Sequence, residues 1–126
     1  MLRKTSLLAS ALAVAALAPA AAHAAGAKLG GQPTMHAIDA HHATLEFAAD
    51  KLPRTKSGAV DARVQFAGGQ RVSGLKPVGR HGYDVRYQAT VTSTAPFRIN
   101  AKYTVRIKLP GSPTVVRLAK LHPAAS

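Results

Sequence analysis

Residues 83–109 read YDVRYQATVTSTAPFRINAKYTVRIKL, and this stretch decides the fold class. Tyr83, Val85, Tyr87, Ala89 and Val91 alternate with Asp84, Arg86, Gln88, Thr90 and Thr92. After a turn at Ala95-Pro96, the residues Phe97, Ile99, Ala101, Tyr103, Val105, Ile107 and Leu109 alternate with Arg98, Asn100, Lys102, Thr104, Arg106 and Lys108. A period of two puts successive side chains on opposite faces of a strand, so both runs read as half-buried strands. The second holds its alternation for thirteen residues, longer than most strands. The two runs are expected to pair as an antiparallel hairpin, apolar parity inward and basic parity outward.

Working outward, the same period recurs more weakly. Ala43, Leu45 and Phe47 alternate with His42, Thr44 and Glu46, while Met35 to Ala40 slips out of phase, which points to a bulge or break near Ile38 to Ala40. Val60 to Phe66 is a further strand, ended by Gly68-Gly69. Arg71 to Val78 is a short strand weakened by Gly74 and Pro77, and Gly79 to Gly82 reads as a basic turn. Thr114 to Leu121 is a last short strand, and Ala49 to Gly58 reads as an exposed loop. No helical period appears. The chain is therefore expected to be all-β, a small antiparallel β-sandwich or open barrel of five to six strands after a signal peptide.

The signal peptide is read at residues 1–24. Arg3 and Lys4 precede an apolar run from Leu7 to Ala18, Pro19 ends it, and Ala22-His23-Ala24 offers a small-residue cleavage site. The run is too short for a membrane span, which needs about 20 residues. The expected layout is a flexible Gly-rich leader over 25–34, one β domain over 35–122 and a tail over 123–126. Localisation is then periplasmic or secreted, with no transmembrane segment left after cleavage. The chain has no cysteine, so disulfides, thiolate metal sites and thiol catalysis are excluded. A membrane β-barrel is disfavoured, because eight strands of 9–11 residues exceed what this chain supplies.

Charge is the strongest functional signal. The 126 residues carry 17 Lys and Arg against 5 Asp and Glu; without Arg3 and Lys4 the balance is 15 against 5. Such an excess concerns partners and not fold. Arg98, Lys102, Arg106 and Lys108 share one strand face, and Arg86 is expected to join them from the paired strand. A row from Arg98 to Lys108 would span roughly 33 Å at 6.6 Å per two residues. Phosphates or carboxylates repeated along a partner would match it: a glycan, a lipid headgroup or an acidic protein. Nucleic acid is disfavoured, because Tyr83, Tyr87, Phe97 and Tyr103 lie on the opposite parity and cannot stack bases beside the cations.

His36, Asp39, His41 and His42 form the second candidate, since imidazole ligates zinc and copper. The stretch His36 to Phe47, with early histidines after an export signal on a small β-domain, is similar in that respect to periplasmic copper-binding β-barrels; it shares no motif with them. On a straight strand His36 and His42 would stand about 20 Å apart, so only a bend gathers them. No nucleophile elbow, phosphate loop or HExxH motif is present, and no enzyme activity is expected. The expected function is that of a non-enzymatic binding or accessory protein whose basic sheet face meets an anionic envelope partner. A histidine-based metal-binding protein and a structural subunit of an envelope complex are the alternatives. No cofactor is expected under the first reading; zinc or copper belongs to the second.

Overall fold

A computed structural model describes residues 26–124; the expected signal peptide lies outside them. The chain is all-β. Its strands are β1 (Thr34–Asp39), β2 (His42–Ala49), β3 (Arg63–Phe66), β4 (Arg71–His81), β5 (Asp84–Thr92), β6 (Lys102–Lys108) and β7 (Val115–His122). They form a single seven-stranded sheet in the order β3-β6-β7-β1-β2-β5-β4. Every neighbouring pair is antiparallel except β1 with β7, which run parallel through Thr34–His36 against Lys120–His122. Two antiparallel blocks, β3-β6-β7 and β1-β2-β5-β4, are thus joined by one short parallel ladder.

The sheet curls into a half-barrel, bringing its edge strands β3 and β4 near each other. These two are consecutive in the chain. The turn over 67–70 joins them, with Gly69 at φ 84 and its N–H donating to the Phe66 carbonyl at 3.1 Å. That backbone conformation suits glycine, which has no Cβ to clash. Beyond the turn β3 and β4 do not pair, and the seam between them is a cleft of about 390 Å³ lined by Val60, Ala62, Val64, Val72 and Leu75 among others.

The concave side holds the core. Met35, Leu45, Tyr87, Val91, Val105, Ile107 and Leu121 are all buried there. The loop after β2 contributes as well. Leu52 is only 5% exposed, and its N–H donates to the Tyr87 hydroxyl at 2.8 Å. A stretch expected to be wholly exposed therefore folds over the core, because one buried hydroxyl accepts its backbone and Leu52 gains about 1.5–3 kcal/mol from burial.

Several expectations are corrected. The described residues form seven strands in one mixed sheet, not five to six antiparallel strands; of the two expected architectures, the half-barrel departs from the two-sheet sandwich and lies nearer the open barrel. The bulge or break expected near Ile38 to Ala40, by contrast, is found: the register shifts between Ala37 and Asp39, and the chain turns there from β1 into β2. β4 runs on to His81, so Gly79 to His81 is strand and not turn; Pro77 is accommodated because β4 is an edge with register shifts around it. β5 and β6 do not pair with each other. After β5 the chain is caught by the β1–β2 hairpin: Ser93 N–H donates to the His41 carbonyl at 2.9 Å and Phe97 N–H to the Ala40 carbonyl at 2.7 Å. It then turns through Asn100, at φ 69, and enters β6 on the far side of β7. The thirteen-residue strand is accordingly cut to Lys102–Lys108. Ile99 is 47% exposed, and Tyr83, at the tip of the β4–β5 hairpin, is 98% exposed; neither joins the core.

Candidate anion-binding face

On β6, Tyr103, Val105 and Ile107 turn inward, so Lys102, Thr104, Arg106 and Lys108 turn outward, to the convex side of the sheet. Both flanking strands add cations there. Lys102 stands directly across from Lys120 of β7, and Lys108 directly across from Arg63 of β3. Gln65 lies across from Arg106. Arg63, Lys102, Arg106, Lys108 and Lys120 are all exposed. Strands β3, β6 and β7 contain no acidic residue.

Among the described residues no cation of this face forms an ion pair. The ion pairs among the described residues are His42–Asp39 and Arg86–Glu46, so no carboxylate there pairs with the five. Asp61 lines a cleft together with Arg63 and Lys108 without reaching ion-pair distance. Glu46 lies on β2, two strands beyond Lys120 and roughly 9.6 Å away at ladder spacing. Like charges directly opposite on an antiparallel pair are destabilising. This face carries two such pairs, Lys102–Lys120 and Arg63–Lys108.

Two residues of the expected row sit elsewhere. Arg98 precedes β6, and its N–H donates to the Tyr103 hydroxyl at 2.9 Å. It is exposed but off the strand, so the regular row spans Lys102 to Lys108, about 20 Å. Arg86 cannot join it, because β5 is four places from β6 in the sheet. Its Nε donates to Glu46 Oε2 at 3.1 Å, and Gln88 Nε2 donates to Glu46 Oε1 at 2.8 Å. These bonds, Arg86 foremost and Gln88 next, hold the Glu46 carboxyl below the usual glutamate range, with the Arg86 and His36 charges adding to the effect. Arg80 and His81 line an open cleft of about 490 Å³ with Glu46 and Arg86.

The histidines are distributed among separate partners. His42 Nδ1 donates to Asp39 at 2.8 Å, and the His41 backbone N–H donates to the same carboxylate at 2.8 Å. These contacts, His42 first, lower the Asp39 pKa. The His41 ring Nδ1 donates to the Ser93 carbonyl at 3.0 Å. His36 stacks on His122 across the parallel β1–β7 ladder, with ring centroids 5.2 Å apart. Of the four candidate ligands, only Asp39 and His42 are brought into side-chain contact. Among the described residues no set of three or more His, Cys, Asp or Glu is placed to hold a metal ion.

Arg63 and Lys120 were missing from the sequence-based site. Their place in it depends on which strands flank β6, and no local pattern encodes that. Comparison with protein-family models, with curated proteins and with solved structures gave no match.

Proposed function

We propose that the protein is a non-enzymatic binding or accessory protein that engages an anionic partner through the outer face of β3, β6 and β7. With the reading of residues 1–24 as a signal peptide, the partner belongs to the cell envelope or the exterior. The observation that carries the proposal is that like charges occupy directly opposite positions across the ladder, Lys102 with Lys120 and Lys108 with Arg63. A bare face of this kind costs stability. A partner that sets one anionic group at each pair, about 20 Å apart along β6, relieves both repulsions, so the arrangement favours the bound state.

Exposed charges are screened within about 8 Å at physiological salt, so only a partner in direct contact feels several of them together. Binding to a soluble polyanion such as long-chain polyphosphate should weaken steeply with added salt. Lys102→Glu with Arg106→Glu should lower affinity by roughly ten- to a hundred-fold, at about 1 kcal/mol for each of the two cations lost. Thr104→Ala, on the same face, should change it little. Unchanged affinity and salt dependence in the double variant would make this face ordinary solvated surface and redirect attention to Lys51–Lys56 and Arg80-His81.

A further inference from the structure

The same face carries an apolar element. β7 turns Val116 and Leu118 outward, in the parity of Lys120, and leaves them 54% and 49% exposed. They stand directly across from Arg106 and Thr104 of β6. Two aliphatic side chains about 6.6 Å apart on one strand are thus flanked by Lys102, Arg106, Lys108 and Lys120. Among the described residues nothing covers them. Single exposed aliphatics are ordinary, but an adjacent pair set among cations on a strand without acids is a combined feature.

We propose that the outer face of β3, β6 and β7 docks on a bilayer surface rich in anionic lipid, the cations on lipid phosphates and Val116 with Leu118 among the headgroups. This rests on the anion-binding reading above and names the partner class. The shape of the face favours a surface over a small ligand, because it is the convex side of a curled sheet and pockets are concave. Charge complementarity favours anionic lipid. Lipids diffuse laterally, so their phosphates can gather at any cation spacing, whereas a polymer must match a fixed one. The aliphatic pair discriminates further: a glycan or a polyphosphate gives Val116 and Leu118 nothing to enter, while a headgroup layer buries apolar side chains beside basic ones. An acidic protein with an apolar patch is the competing partner.

The test uses the full 126-residue chain and its Val116→Ser/Leu118→Ser variant, with Leu118→Gln as a single-site companion. Because these side chains are half exposed, thermal melting should be nearly unchanged. Sedimentation with phosphatidylcholine vesicles reports any contribution of the apolar segment 7–18, which all variants share. Sedimentation with phosphatidylcholine–phosphatidylglycerol vesicles reports the proposed site, and polyphosphate affinity reports the cations alone. The expected result is salt-sensitive binding to the anionic vesicles, weakened about five- to ten-fold by the double substitution, with polyphosphate affinity unchanged. Equal vesicle binding by wild type and variant would overturn the docking mode. Polyphosphate binding without vesicle binding would overturn the lipid proposal while leaving the anion-binding reading standing and pointing to a polymeric or protein partner. Loss of both would overturn the two together.

Discussion

Tyr87 ties two parts of the molecule at a single position. Its ring stacks on Phe47, with centroids 5.7 Å apart, and its hydroxyl accepts the Leu52 N–H at 2.8 Å. Tyr87→Phe keeps the ring and leaves a buried backbone donor unmatched. It should cost about 1–3 kcal/mol in denaturant unfolding, and a cost below about 0.5 kcal/mol would show that water satisfies the donor. Glu46 offers a test of charge. Its carboxyl is depressed in the folded state, so Arg86 and Gln88 stabilise the fold above the unfolded pKa of about 4.3. That contribution is lost as pH falls through about 4.3 toward the lower folded value. Wild type should therefore lose stability between about pH 6 and pH 3 more steeply than Glu46→Gln, as read from urea midpoints. Equal slopes would mean that the Arg86–Glu46 contact is energetically silent.

Among the elements, alternation was legible wherever a strand persisted. Tyr87, Ala89, Val91, Val105, Ile107 and Leu109 all lie inward as their parity predicts. Parity misleads at strand ends, where backbone turns break the period: Gly82, at φ 65, frees Tyr83, and Asn100, at φ 69, frees Ile99. Ile107→Ala should cost about 2–5 kcal/mol by leaving a cavity, and Ile99→Ala under about 0.5 kcal/mol, with midpoints compared at constant m-value. Similar costs for the two would restore the continuous strand over 97–109. Strand partners were not legible, because the hydrogen bonds that route the chain after β5 join Ser93 and Phe97 to the distant residues His41 and Ala40. Hence Lys102, Arg106 and Lys108 could be placed on a common face from sequence, but Lys120 and Arg63 could not. The pairing now makes a specific prediction. Lys120→Glu replaces repulsion across from Lys102 with attraction, and should raise stability by about 0.2–1 kcal/mol while weakening polyanion binding. Unchanged stability would show that the two side chains do not feel each other, and a loss would contradict the repulsion.

At the scale of the whole molecule, the curled sheet separates two tasks. Its concave side encloses the core, and the convex side of β3, β6 and β7 displays cations that form no ion pair among the described residues. The short β1–β7 ladder connects the block that holds the cationic face to the block that holds half of the buried apolar residues and both ion pairs of the described residues. Net charge alone would attract any polyanion, so the central claim is positional: binding depends on where the charges are, not on how many there are. The most direct test compares two variants with the same change in net charge. One is Lys102→Glu/Arg106→Glu on the proposed face, and the other is Lys51→Glu/Lys56→Glu on the loop between β2 and β3. Polyphosphate affinity should be measured for both across a salt series. The account predicts that the face variant loses roughly ten- to a hundred-fold in affinity, and much of its salt dependence, while the loop variant stays within about three-fold of wild type. Equal losses in the two would contradict it, leaving the excess of positive charge as a diffuse property of the chain with no binding face.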